Sequence, residues 1–181
     1  MVHPKRAITR DARTRRPKRP TREAMRKPRR RTHHGMTRGQ TRMFKHILVP
    51  IDLSDKNART LRTALMLASQ SRARVTLLHV VQHVQHIPIG EMRPFYRRLV
   101  ATSRRRLAEA AKAFAAEGVS VGTEVLVGEP AREVVRLAMA KKADLVVMGS
   151  HKVNPARRNR GWGTTSYKVG IFCQCPILLV K

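Results

Sequence analysis

Acidic residues are scarce in this chain of 181 residues: 11 Asp and Glu stand against 39 Lys and Arg, leaving a formal net charge of +28. Long apolar runs are missing as well. No stretch approaches the roughly 18 apolar residues of a membrane-spanning helix, and the basic N-terminus lacks the apolar core of a secretory signal. No membrane association is therefore expected. Cysteine is limited to Cys173 and Cys175; a disulfide between positions two apart is geometrically poor, and a redox pair or metal site calls for a CxxC spacing or nearby further ligands. Both read as ordinary thiols, which points to a reducing cytoplasm.

Catalytic signatures are equally thin. The phosphate-binding loop GxxxxGK[ST] does not occur, and no Ser-His-Asp set or paired carboxylates can be read from the spacing. We therefore expect a non-enzymatic protein, with weak hydrolysis of a bound ligand left open.

The charge that is present is unevenly spread. Residues 1–43 hold 16 of the 39 Lys and Arg and two of the 11 acids, so a quarter of the chain carries half the net charge. Residues 1–42 contain almost no large apolar side chains, several prolines and dense arginine, too little apolar surface to fold alone. They read as a disordered basic arm that contacts nucleic-acid phosphates non-specifically or an acidic surface, or as a solvated tail. An over-extended reading frame in GC-rich DNA gives the same composition, and Met43, directly before the first strand, would then be the start. No aromatic residue interleaves the arm, so base stacking has no support.

From Phe44 the pattern becomes alternating strand and helix. FKHILVPID is an apolar run of strand length. Ser54 or Asp55 can cap the next helix, with Ala58, Leu61, Leu65 and Ala68 inward and Arg59 and Arg62 outward. RVTLLHVV is a second strand, and the stretch after it up to Phe95 reads as loop. A helix follows from about Tyr96 to Ala116, with Leu99, Val100, Ser103, Leu107, Ala110, Ala111 and Phe114 inward, stopping at Gly118. Residues 119–128 form a third strand. Pro130 opens a helix whose buried face is Ala131, Val134, Val135, Leu137 and Ala138. DLVVMGS is the fourth strand; after an irregular stretch from His151 to Trp162, a short helix covers about Thr164 to Phe172, and PILLVK is the fifth strand. Apolar runs on every strand require an α/β fold: a doubly wound, five-stranded parallel sheet with helices on both faces.

In such sheets ligands settle at the carboxyl ends of the strands. Three turns qualify: Pro50-Ile51-Asp52-Leu53-Ser54, the end of the second strand at His79 and Val80, and the segment Met148-Gly149-Ser150-His151-Lys152 with Gly163-Thr164-Thr165-Ser166. Asp52 can accept from a ribose or base or help hold a cation, and can equally cap a helix. Backbone N–H groups and hydroxyls at the start of a helix suit phosphate, with Arg157, Arg158 and Arg160 nearby in sequence. His151, a lone loop histidine, reads as a ligand contact or as a structural or solvated residue.

The segments ILVPIDLS, LLHVV, ADLVVMGSH and GTTSYKV with CPILLV together resemble the universal stress protein family over essentially 44–181. The resemblance implies an adenine nucleotide alpha hydrolase-like fold, a dimer formed through the last strand, a cytoplasmic stress-response role and, in one branch, ATP, with Mg, bound through Gly-x2-Gly-x9-Gly-Ser/Thr. On that pattern Asp52 matches the first-strand aspartate, Val80 falls near the adenine-contacting strand end, Gly149 is the first glycine, and Gly163 and Thr164 are the last pair. Lys152 stands in the second glycine's place, and ten residues rather than nine separate it from Gly163. Lysine restricts a close backbone approach but supplies a phosphate-seeking charge; Asn154, Pro155 and Gly161 can absorb the extra residue. The alternatives are a dimeric interaction module that binds no nucleotide, favoured by Lys152 and the longer loop, and a nucleic-acid binder acting through the arm.

Overall fold

A computed structural model describes residues 43–83, 93–150 and 163–181. The arm at 1–42 and the stretch 151–162, which includes His151, Lys152 and the three arginines, lie outside the described residues. Five strands, β1 (His46–Pro50), β2 (Arg74–Gln82), β3 (Val121–Gly128), β4 (Leu145–Gly149) and β5 (Ile177–Val180), form one sheet in the order β3-β2-β1-β4-β5, with every pairing parallel.

Side chains alternate across a strand, and here both faces of the sheet are apolar. Ile47, Val49, Val75, Leu77, Leu145 and Val147 face one layer, built by α1 (Ala58–Ser71) and α2 (Arg93–Ala116), which contribute Ala64, Ala68, Leu107 and Phe114. Leu48, Leu78, Val146 and Met148 face the other, built by α3 (Pro130–Ala140) and α4 (Thr165–Phe172), which contribute Ala131, Val134, Leu137, Ala138 and Val169. The doubly wound α/β sandwich expected from the strand runs is thus present. Among the described residues no helix is long and apolar enough to cross a membrane.

Local chemistry accounts for the element ends. Glu129 caps α3 by accepting from the Arg132 N–H at 2.7 Å, and Pro130 occupies its first turn, where the missing N–H costs nothing. Arg72 ends α1 in a left-handed conformation, φ 52°. Three details differ from the sequence reading. The first helix is preceded by a short 3-10 turn (Asp55–Asn57) headed by Ser54, whose side chain makes no capping bond, and Ala58 is exposed. The long helix α2 starts at Arg93, and Tyr96 takes the buried position that had been expected of Leu99, which is exposed. β3 begins at Val121, not at Val119, which is buried just before it.

Cys173 and Cys175 are free and half-buried, their sulfurs 3.4 Å apart. Burial, together with the Cys173 thiol beside it, pushes the Cys175 thiol up to about 12.

At the amino end of the sheet, buried His46 sits on β1 with Nδ1 3.0 Å from the Lys141 carbonyl and Nε2 2.8 Å from the Thr76 hydroxyl. A carbonyl only accepts, so Nδ1 carries the proton and the neutral ring fits both partners. Burial, joined by the nearby Arg74 and Lys141 charges, holds its pKa below the ordinary value against the Lys141 carbonyl and Asp144. The unfolded chain therefore takes up this proton first as pH falls, and stability declines below about pH 6.5. Urea midpoints recorded from pH 7.5 down to 5.5 should drop for the wild type, and should drop less for His46→Gln.

Candidate functional site

Connections run from β1 outward through β2 to β3, then cross back over the sheet to β4 and β5. The reversal lies between β1 and β4, where the helices following these two strands diverge and leave a crevice. A cavity of about 710 Å³ opens there. Its walls include Pro50, Ile51 and Asp52 after β1, Val80 on β2, Met148, Gly149 and Ser150 at the end of β4, and Gly163, Thr164, Thr165 and Ser166 at the start of α4. The structure thus brings together the residues singled out from the sequence except His151, Lys152, Arg157, Arg158 and Arg160, which lie outside the described residues.

The turn after β1 is built around the Asp52 carboxylate. Its Oδ1 accepts from the Ser54 N–H at 2.9 Å and from the Asn57 side-chain amide, which also donates to the Ser54 carbonyl at 2.9 Å. Burial opposes the charged form, but hydrogen bonds from Ser54 and Asn57 outweigh it and hold the carboxyl below its ordinary value. Leu53, next in the chain, has φ 62°, a conformation costly for a bulky residue. Such strain persists only where the surroundings impose it; here the Asp52 bonds and the packing of Leu53 on the core beneath do so. On the adjoining strand the Ile51 N–H donates to the Leu78 carbonyl and His79 Nδ1 to the Ile51 carbonyl, both at 2.9 Å.

The opposite wall is the start of α4. Gly163 has φ +102° and no described residue within 4 Å of where a Cβ would stand, so its backbone conformation is what favours glycine. Thr164 then caps α4, its hydroxyl accepting from the Tyr167 N–H at 3.3 Å. Gly149 keeps no unusual φ; a Cβ there would stand 3.4 Å from the Thr60 hydroxyl. Lys56, Arg59 and Lys181 add positive charge to the lining, with Asp52 as its acidic member.

Sequence reasoning missed Asn57, Thr60, Gln82, Pro130 and Val134 in these walls. A signal existed for Asn57, a polar residue at the start of a helix five positions after Asp52. Thr60, Pro130 and Val134 belong to helices whose approach to the crevice depends on tertiary packing.

Comparison with known proteins fits this geometry. A family model described as the universal stress protein family matches residues 43–181. The chain belongs to the universal stress protein family. It is 33% identical over 153 residues to universal stress protein YxiE of Bacillus subtilis, the match covering 77% of this chain and all of that one. A universal stress protein of Thermus aquaticus is 35% identical over 144 residues, with 77% and 100% covered. Among solved structures, that of MJ0577 superimposes with a TM-score of 0.65 at 25% identity, covering 77% of this chain and 96% of that one. A universal stress protein solved in complex with cAMP gives 0.57 at 25% identity, covering 76% and 96%.

Removing the cap that orders the α4 wall tests how far it is held locally. Thr164→Ala is expected to lower the free energy of unfolding by about 1 kcal/mol, read from urea unfolding curves with an unchanged m-value.

Proposed function

We propose that this universal stress protein is a cytoplasmic stress-response regulator that binds ATP or a related adenine nucleotide at the carboxyl ends of its strands. The carrying observation is the wall formed by Gly163 and the start of α4, facing Asp52 across one cavity. An open glycine backbone at positive φ, followed by a capped helix start, admits a phosphate close to N–H donors at the positive end of the helix dipole. Asp52 is held ionised, so its free lone pairs suit a ribose hydroxyl or a divalent cation such as Mg accompanying the phosphates. A related protein solved with cAMP supports the nucleotide class.

Binding rather than turnover is the reading, because the hydrogen bonds that hold the Asp52 carboxyl below its ordinary value make it a weak general base. The two free thiols fit a reducing compartment. We further propose a homodimer through the last strand. β5 is an edge of the sheet, and Leu178 and Leu179 on it are 38% and 39% exposed, an apolar edge that invites pairing. A dimer that binds no nucleotide is the competing account, favoured by Lys152 in the place of a motif glycine.

Titration calorimetry with MgATP, together with mass spectrometry of small molecules released from the purified chain, separates the two. Heat or co-purified nucleotide is expected, and Gly163→Val, which forces a β-branched residue to φ +102°, should weaken binding at least about tenfold. Absence of heat up to millimolar ATP would leave the interaction module as the better account. Light scattering at micromolar concentration should report a dimer; a monomer there overturns pairing through β5.

A further inference from the structure

The helix α2 carries a cationic surface that the cavity does not use. Arg93, Arg97, Arg98, Arg104 and Arg105 are all exposed, and none is in ion-pair reach of a carboxylate among the described residues. Four other cations do reach a carboxylate: Lys112 pairs with Glu109 further along α2, Arg136 with Glu133, Lys141 with Glu124 and Lys168 with Glu129. Arg106 differs from its neighbours, turning to the Leu53 carbonyl at 3.5 Å.

The arginines are ordered by the helical period. Residues seven apart lie within about 20° of one another around the axis, so Arg97 and Arg104 form one rail, extended by Arg93, and Arg98 and Arg105 form a second. Ala101 and Ala108, both exposed, fall between the rails and leave a shallow floor. From Arg93 to Arg105 the surface runs about 18 Å at 1.5 Å per residue, a length of duplex axis over which one strand presents about five phosphates. The buried line of α2, Tyr96, Ser103, Leu107 and Phe114, lies on the opposite side against the sheet.

We propose that this double rail is a docking surface for the phosphodiester backbone of duplex nucleic acid, read without base specificity and distinct from the arm at 1–42. Arginine's planar fork matches phosphate oxygens bidentately. Packed together without acids, these guanidinium groups repel one another, and a polyanion relieves that cost while releasing its counterions. Anionic lipid fits less well. A helix that lies in a bilayer interface needs an apolar face to insert, and that of α2 is spent on the core; exposed Phe95 and Leu99 lie on one flank, outside the rails.

The test uses the full chain, a short fluorescein-labelled DNA duplex of mixed sequence, and anisotropy titrations between about 50 and 200 mM salt. The variant Arg97→Gln, Arg98→Gln, Arg104→Gln, Arg105→Gln changes only exposed positions to a residue of similar helix propensity, and circular dichroism should show an unchanged helical signal. It is expected to bind at least about tenfold more weakly at the low-salt end, with the slope of log K against log salt reduced by about 3 to 4, near 0.9 per phosphate lost. A charge-matched control removes four cations from α3 and its end, on the opposite face: Arg132→Gln, Arg136→Gln, Lys141→Gln, Lys142→Asn. The control should keep most of the slope. An unchanged slope in the α2 variant, or equal losses in both variants, overturns the proposal in favour of the arm or of net charge. If the α2 arginines matter for vesicles of phosphatidylcholine and phosphatidylserine but not for duplex, the surface is a lipid contact and the proposal also fails.

Discussion

β1 is paired on both edges and covered on both faces, and this double enclosure constrains everything around it. Ile47, Leu48 and Val49 are fully buried, Leu48 toward one helical layer and its neighbours toward the other. A strand in that position can end only where the layers part, and Pro50, which has no N–H to give to a ladder, marks the place. The backbone then has to be satisfied by other means: the Ile51 N–H finds the Leu78 carbonyl, and the following turn closes around the Asp52 carboxylate. The cavity is the space left when a fully buried central strand stops between two diverging helical layers.

Both walls of the cavity are tied into the same framework. Asp52 is fixed by Ser54 and Asn57 at the entrance to α1, and Thr164 fixes the entrance to α4. Lys168 on α4 reaches Glu129, the cap of α3, at 3.5 Å, which links the two helices of one layer through an exposed pair of modest strength. The firmer anchor of α4 is Val169, fully buried in the apolar layer that α4 shares with α3. A ligand at the helix start would therefore meet donors whose positions are paid for by the core.

Strands β1, β2 and β4 were legible in the sequence because each is a short apolar run closed by a turn residue, a pattern that only a sheet covered on both faces produces. The start of α4 was legible because Gly, Thr, Thr and Ser in succession are poor helix interior and good helix entrance. The inward face of α2 was less so. Its apolar residues form a band wider than the line that touches the sheet, and periodicity alone does not separate the centre of such a band from its edge; Tyr96 lies at the centre and Leu99 at the edge. Leu53 was read simply as part of a turn, since a left-handed bulky residue leaves no mark in the sequence. Which helix residues reach the crevice, Thr60 and Val134 among them, depends on how helices pack, and local sequence does not encode that.

Charge follows a division of labour that composition hides. The carboxylates of the folded region are largely engaged in construction: Asp52 holds a turn, Asp144 accepts from the Lys45 and His46 N–H groups at the start of β1, Glu129 caps a helix, and Glu109, Glu124 and Glu133 each hold a cation. Asp52, Asp144 and Glu129 are tied to backbone N–H groups, whereas Glu109, Glu124 and Glu133 each reach a cation through their side chains. An excess of basic residues must then collect where no carboxylate is required for folding, and the exposed face of α2, where Arg93, Arg97, Arg98, Arg104 and Arg105 meet no carboxylate among the described residues, is such a place. The uneven field is thus a consequence of where the fold needs its few acids, and it leaves α2 as a cationic surface regardless of the residues before Met43.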